Sequence, residues 1–157
     1  MVRGKAKKKA TSKRKTTTTE PMPNVTSNAI TLAIDVGGTG LKALLLNAKG
    51  DALTERVRVE TPRPATPTAV VDALVALVRP LGKFDRVSVG FPGVVVNGTI
   101  RSAPNLDGPW KGAPLGRVLS MKLGKPVRML NDAGVQGNGV IEGKGVEMVI
   151  TLGTGMG

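Results

Sequence analysis

Leu32-Ala33-Ile34-Asp35-Val36-Gly37-Gly38-Thr39-Gly40-Leu41-Lys42 is the stretch on which the reading of this chain turns. Apolar residues lead to a lone carboxylate, break on paired glycines, and resume from Leu41 to Leu46. The pattern predicts a strand over Ile30 to Asp35, a tight turn, and a second strand folded back on the first. Gly37, Gly38 and Gly40 carry no Cβ, so backbone N–H groups there can come close to an anion; Thr39 adds a hydroxyl. Asp35 stands where a carboxylate can hold a water of a Mg²⁺ ion, and Mg²⁺ usually arrives with phosphate. A plain hairpin with glycines at its tip would leave the same trace, so this stretch alone supports both readings.

A second stretch favours the phosphate reading. The chain closes on Val149-Ile150-Thr151-Leu152-Gly153-Thr154-Gly155-Met156-Gly157, again a strand pattern running into Gly-Thr-Gly. Two such turns suggest two clamps on one phosphate chain. Neither is a P-loop, because no Gly-x-x-x-x-Gly-Lys-Ser/Thr occurs, and the Gly-x-Gly-x-x-Gly dinucleotide fingerprint is also missing.

Composition narrows the chemistry. The 157 residues suffice for one domain with a real core. There is no Cys and no His, which excludes disulfides, zinc–thiolate sites, thiol nucleophiles and Ser-His-Asp catalysis. A general base must therefore be Asp, Glu or a perturbed Lys. Phe84, Phe91 and Trp110 are the only aromatics, too few for base-stacking on single-stranded nucleic acid.

The net charge of +12 is uneven, since residues 1–20 hold eight Lys/Arg against one Glu. Residues 1–28 read as a disordered basic tail that cannot bury enough apolar surface to offset its ordering entropy. Clustered Lys7-Lys8-Lys9 and Lys13-Arg14-Lys15 could bind a polyanion by counterion release, or could simply be solvated. The segment lacks the apolar core of a signal peptide and the length of a membrane span, so the expectation is a cytoplasmic protein without membrane partners.

Taken in order, the rest reads β-β-β-α-β-loop-α-β-α-β. Ala52 to Val59 alternates and predicts a third antiparallel strand. Thr66-Pro67 starts a helix through a hydroxyl cap followed by proline, and Pro80 and Gly82 end it. Arg86 to Phe91 is a strand running into Pro92-Gly93, and Val94 to Ile100 a short hairpin. Ala103 to Trp110 is an irregular loop. Leu115, Val118, Leu119 and Leu123 mark a short helix closed by Gly124. Val127 to Leu130 is a strand delivering Asn131-Asp132, residues 132–143 a glycine-laden helix, and Val146 to Leu152 a last strand. The expected fold class is α/β: a mixed sheet whose first three strands are antiparallel, with helices packed on it. Sites in such sheets form beyond strand carboxyl ends, where Asp35, Phe91-Pro92-Gly93 and Asn131-Asp132 all fall.

Asp132 is the best candidate base, since a carboxylate at a strand end can take a hydroxyl proton during phosphoryl transfer. It could equally cap the next helix. Asn131 can donate and accept, which suits a polyol. Asn105 and Asp107, with Trp110 as an apolar wall, look like sugar recognition; an ordinary Asn-Leu-Asp-Gly turn is the competing reading.

Together, Asp35-Val36-Gly37-Gly38-Thr39-Gly40, Gly90-Phe91-Pro92-Gly93, Asn105-Leu106-Asp107, Leu130-Asn131-Asp132-Ala133 and Leu152-Gly153-Thr154-Gly155-Met156-Gly157 resemble, in order and spacing, the ROK family of sugar kinases. Within it the chain is most similar to the polyphosphate/ATP glucokinases. The resemblance covers residues from about 29 to 157 and leaves out the tail. It implies an actin-like, ribonuclease H-like lobe of a two-lobed enzyme that phosphorylates the 6-hydroxyl of glucose or a related hexose, with polyphosphate or ATP as donor and Mg²⁺ as cofactor. By the same resemblance Asp132 is the base. Asn105, Asn131 and Asp107 hold sugar hydroxyls. Asp35 with Gly37, Gly38, Thr39 and Gly40 forms the first phosphate motif and its Mg²⁺ site; Gly153, Thr154 and Gly155 belong to the second. Homodimers are the family expectation.

Two departures stand out. Gly134 replaces the polar or acidic residue that often follows Asp-Ala in the family. The chain also stops at Gly157, where family members continue into a second lobe, so residues 29–157 are expected to be a truncated N-terminal lobe. The alternative from another class is a non-catalytic, sugar-sensing ROK regulator or interaction module. Residues 1–28 show no helix-turn-helix pattern for one that binds DNA, so nucleic acid is not the expected partner.

Overall fold

Residues 28–138, 140 and 141 are described in the computed structural model. Strands β1 (Thr31–Val36) and β2 (Gly40–Leu46) pair antiparallel, in a register that sets Asp35 opposite Lys42. Strand β3 (Val57–Glu60) pairs antiparallel with β2. Helix α1 (Pro67–Val78) then crosses over to β4 (Arg86–Phe91), which lies parallel to β1. After the β5 (Val95–Val96) and β6 (Thr99–Ile100) hairpin and helix α2 (Leu115–Leu123), strand β7 (Val127–Asn131) joins parallel to β4. Helix α3 (Asp132–Asn138) follows directly. The sheet has five strands in the order β3-β2-β1-β4-β7, with β5 and β6 a separate pair.

Period-two alternation explains the layering. Leu32, Ile34 and Val36 are buried, as are Val87 and Val89 of β4, and they form one core with Val70, Leu74 and Val78 of α1 and Leu115 and Leu119 of α2. The odd-numbered residues of β1 point to the other face. Helix α1 starts as its sequence predicts: the Thr66 hydroxyl accepts from Ala69 N–H, and Pro67 occupies the first turn. Gly124, at φ 65°, ends α2 in the left-handed region, with its N–H bonded to Ser120 O. Asn97 and Gly98, both with positive φ, make the turn between β5 and β6.

Three expectations are revised. The third strand is confined to Val57–Glu60, rather than spanning 52–59. Leu53 N–H bonds to Leu45 O, but Leu45 N–H is taken by the Thr54 hydroxyl, so a side chain interrupts the ladder where a backbone carbonyl would have continued it. Helix α3 is shorter than 132–143, and Gly137 O accepts both Val140 N–H and Ile141 N–H. Trp110 is no wall of a cleft: it is buried in the core. The expected last strand and all of the tail except Asn28 lie outside the described residues. Among the described residues no helix is long and apolar enough to cross a membrane.

Candidate active site

One row of paired residues crosses the whole sheet. Arg58 on β3 faces Lys42 on β2, Lys42 faces Asp35 on β1, Asp35 faces Gly90 on β4, and Gly90 faces Leu130 on β7. Paired residues share a face, and this row lies on the face away from α1 and α2. Gly90 contributes no side chain to it, and the start of α3 packs over it. A Cβ built there would point at the Asp132 backbone, 3.9 Å from its Cα, and at Val135 Cγ2, 3.6 Å away. Asp132 and Asp35 therefore flank Gly90 on the same side of the sheet, at the carboxyl ends of β7 and β1.

The turn beside Asp35 is tied down by its carbonyls. Gly37 O accepts from the Thr61 hydroxyl at 2.6 Å, Gly38 O from Arg63 Nη2 at 2.9 Å, Thr39 O from Thr61 N–H at 3.3 Å, and Gly40 O from Gly37 N–H at 3.0 Å. The N–H groups of Gly38 and Thr39 have no partner among the described residues. The glycines themselves are required by close approach. A Cβ on Gly37 would sit 2.8 Å from Gly40 O, and one on Gly38 would sit 3.2 Å from Asn105 O. The second contact brings the candidate sugar loop against the candidate phosphate turn.

Asn131 is a bracket. Its Nδ2 donates to Gly93 O at 3.0 Å, and its Oδ1 accepts from Ala133 N–H at 3.0 Å. It joins the segment after β4 to the start of α3. Asp132 Oδ1 also accepts from Ala133 N–H, at 2.8 Å. The helix cap is thus shared, and Asp132 Oδ2 has no hydrogen-bond partner among the described residues. A base and a cap are compatible here, although sequence alone sets them against each other.

In the loop after β6, Leu106 is buried while Asn105 and Asp107 face outward. Asp107 Oδ2 accepts from Ala65 N–H at 3.1 Å and from Arg63 Nη1 at 3.3 Å. Ala65 N–H first, and the Arg63 guanidinium second, hold the Asp107 carboxyl below the usual aspartate range. The Trp110 indole N–H donates to Ala65 O and to Asp107 O, each at 2.9 Å. Trp110 braces the loop from beneath.

Asp35 Oδ2 accepts from Lys42 Nζ at 2.9 Å, and about half of its side chain is exposed. No cluster of three or more His, Cys, Asp or Glu side chains that could hold a metal occurs among the described residues.

Residues 31–157 match the sequence profile of the ROK family. The chain belongs to the ROK family. Among similar proteins, the polyphosphate glucokinase of Mycobacterium tuberculosis is 34% identical, with 88% of this chain and 56% of that one aligned. Among solved structures, the inorganic polyphosphate/ATP-glucomannokinase of Arthrobacter sp. strain KM superposes with a TM-score of 0.73 at 40% identity, over 83% of this chain and 57% of that one. The ROK glucokinase of Streptomyces griseus, solved with glucose and AMPPNP, gives a TM-score of 0.68 at 32% identity, over 82% and 43%. This ROK chain spans about half the length of the curated relatives it matches.

Of the residues expected at the site, the fold brings Asp35, Gly37, Gly38, Thr39 and Gly40 together with Asn105 on one side and, across Gly90, with Asn131 and Asp132 on the other. Asp107 lies in the same loop as Asn105, but one of its oxygens is occupied by Ala65 and Arg63. Gly153, Thr154 and Gly155 lie outside the described residues. Sequence reasoning missed Lys42, Arg58, Thr61, Arg63 and the packing of α3 over Gly90. Lys42 was within reach: a three-residue link from Val36 to Gly40 forces the pairing of Asp35 with Lys42. Arg58 and Lys42 then follow by alternation along the next pair. Thr61 and Arg63 follow β3 and carry no local signal of where their side chains go.

Proposed function

We propose that this chain is one lobe of a hexose kinase that transfers a phosphoryl group from polyphosphate or ATP to the 6-hydroxyl of glucose or a related hexose. The observation that carries the reading is the placement of Asp132 and Asp35 on either side of Gly90, beside a turn whose Gly38 and Thr39 N–H groups have no partner among the described residues. Asp132 takes the proton of the sugar hydroxyl as that oxygen bonds to the terminal phosphorus. The bond from phosphorus to the bridging oxygen breaks, and the shortened polyphosphate or ADP leaves with the electron pair. Little else is asked of the protein than positioning and charge stabilisation. The Gly38 and Thr39 N–H groups face donor oxygens, and Asn105 and Asn131 border the sugar. Mg²⁺, when bound beside Asp35, neutralises donor charge. The kinases named among its relatives support this reading, which accounts for two carboxylates better than a sugar-sensing regulator does.

The test is Asp132→Asn in the protein as expressed from its gene, assayed for hexose 6-phosphate with each donor. Turnover should fall by about 10²–10⁴-fold while sugar binding persists. Turnover kept within about tenfold overturns the base assignment. No turnover by the unaltered protein with either donor overturns the kinase reading.

A further inference from the structure

The Gly38 and Thr39 N–H groups, which have no partner among the described residues, each share a peptide unit with a carbonyl that is tied. A trans peptide is planar, and its C=O and N–H point in opposite directions. The Gly37–Gly38 and Gly38–Thr39 units are both trans. Whatever holds the oxygen of such a unit therefore also aims its N–H. Gly37 O is held by the Thr61 hydroxyl at 2.6 Å, so the Gly38 N–H is turned away from Thr61. Gly38 O is held by Arg63 Nη2 at 2.9 Å, so the Thr39 N–H is turned away from Arg63. The first hold is the firmer one. Thr61 is buried, at 5% exposure, whereas the Arg63 side chain is 62% exposed. Thr61 is also β-branched, with few side-chain rotamers open to it. Its own N–H donates to Thr39 O at 3.3 Å, so one residue grips the turn by two carbonyls. Glycine at 37 and 38 would otherwise let these peptide units swing, since neither has a side chain to limit its backbone angles.

We infer that Thr61 is a positioning residue for phosphoryl transfer: through the Gly37–Gly38 peptide it aims the Gly38 N–H at a phosphate oxygen of the donor, without touching the donor itself. This deepens the kinase reading and rests on it. A loose glycine turn would have to order its N–H groups as the donor binds, and that ordering would consume part of the interaction. An N–H already aimed needs no reorganisation as charge shifts during transfer. The hydroxyl is the part of Thr61 that matters, because only a hydrogen-bond donor can hold a carbonyl. Valine at this position would fill nearly the same space, remove the donor to Gly37 O and free the peptide unit to turn.

Equilibrium binding of inorganic tripolyphosphate and of glucose, each alone, to the protein as expressed from its gene, to Thr61→Val and to Thr61→Ser decides it, with melting temperatures showing which variants fold. Thr61→Val should weaken tripolyphosphate about tenfold, the scale of one hydrogen bond to a charged group, and leave glucose within about twofold. Thr61→Ser restores a hydroxyl and should recover most of the loss. The basic residues of 1–20 are present in every protein compared, so the ratio isolates position 61. A second measurement needs no variant: in the nuclear magnetic resonance spectrum of the unaltered protein, the Gly38 amide signal should move when tripolyphosphate is added. That signal decides the matter if Thr61→Val does not fold. Equal losses for tripolyphosphate and glucose mark a merely structural tie and overturn the positioning role. So do an unchanged tripolyphosphate affinity in Thr61→Val, a Thr61→Ser no better than Thr61→Val, and a Gly38 signal that tripolyphosphate leaves unmoved. Hexose phosphorylation is assayed alongside: its absence in the unaltered protein with both polyphosphate and ATP overturns the kinase reading, while the binding ratio and the Gly38 signal judge Thr61.

Discussion

Trp110 packs against Phe91 as a tilted aromatic pair, ring centroids 5.2 Å apart and planes at 53°. Phe91 ends β4, so this pair fixes the loop carrying Asn105 to the strand that carries Gly90. Because the Trp110 N–H also donates to two carbonyls, the two ways of truncating it should differ. Trp110→Phe keeps most of the apolar contact and leaves the buried Ala65 carbonyl short of a donor, costing about 1–3 kcal/mol. Trp110→Ala should cost about 3–5 kcal/mol. Urea unfolding followed by far-UV circular dichroism measures both; a Trp110→Phe variant as stable as the parent would mean the hydrogen bonds contribute nothing, and equal losses would mean the same of the ring contact.

Gly93 and Gly134 should respond to alanine in opposite directions. A Cβ at Gly93 would lie 2.0 Å from Ser102 O and 3.0 Å from Ser102 C, both backbone atoms that cannot rotate away. Gly93→Ala should destabilise by about 1–3 kcal/mol or more and displace the loop that follows. Among the described residues nothing lies within 4 Å of a Cβ at Gly134, which sits exposed in α3, so Gly134→Ala should stabilise by about 0.5–1 kcal/mol. Thermal melts of the two variants give the comparison, and a shift of the same sign in both would contradict it.

Asn131 uses both ends of its amide, and two substitutions separate them. Asn131→Asp keeps an acceptor for Ala133 N–H but turns an oxygen toward Gly93 O, where Nδ2 now donates. Asn131→Ala loses both bonds, at about 0.5–2 kcal/mol for the cap alone. Asn131→Asp should therefore be no more stable than Asn131→Ala at neutral pH and should recover as the new carboxyl is protonated. Denaturant midpoints at pH 7 and near pH 4 would reveal this, and an Asp variant as stable as the parent at pH 7 would show that the bond to Gly93 is dispensable.

Much of the fold was legible because its signals are local. The Thr66-Pro67 start, the Gly124 stop and the Asn97-Gly98 turn each need only neighbours in sequence. The alternation in β1 and β4 marks which face meets the helices. What stayed hidden depends on contacts between distant segments. Leu45 N–H choosing the Thr54 hydroxyl shortens β3, and no pattern in Ala52 to Val59 announces that choice. Trp110 looked like a binding surface because it sits in a polar loop; its burial depends on Phe91 and Ala65, which are far from it in sequence. Asn131 and Asp132 were found by position at a strand end, yet the sharing of the cap between them could be seen only in three dimensions.

Asp107 should titrate below an ordinary aspartate, whose carboxyl has a pKa of about 3.9. Its ionised form is the one that accepts from Ala65 and Arg63, so the folded value is depressed. The sign follows: this tie contributes above the unfolded value and is lost as pH falls through the lower folded one. The stability difference between the parent and Asp107→Asn should stay constant from pH 7 to about 5 and shrink below about pH 4. Because the group is exposed, the difference will be small. Carbon-13 carboxyl shifts that place its midpoint at or above that of a model aspartate would contradict the assignment.

The row from Arg58 to Leu130 makes β1 a divider. Strands β2 and β3 lie on one side of it with the cations, and β4, β7 and α3 lie on the other with Asn131 and Asp132. The two sides are joined by main-chain ladders, so exchanging a side chain on β3 leaves the spacing on the β7 side untouched. A lineage carrying this sheet can therefore retune one end of the cleft by single substitutions while the other end stays as inherited. Directed evolution libraries confined to positions 56, 58 and 60 would sample that freedom without disturbing the carboxylates.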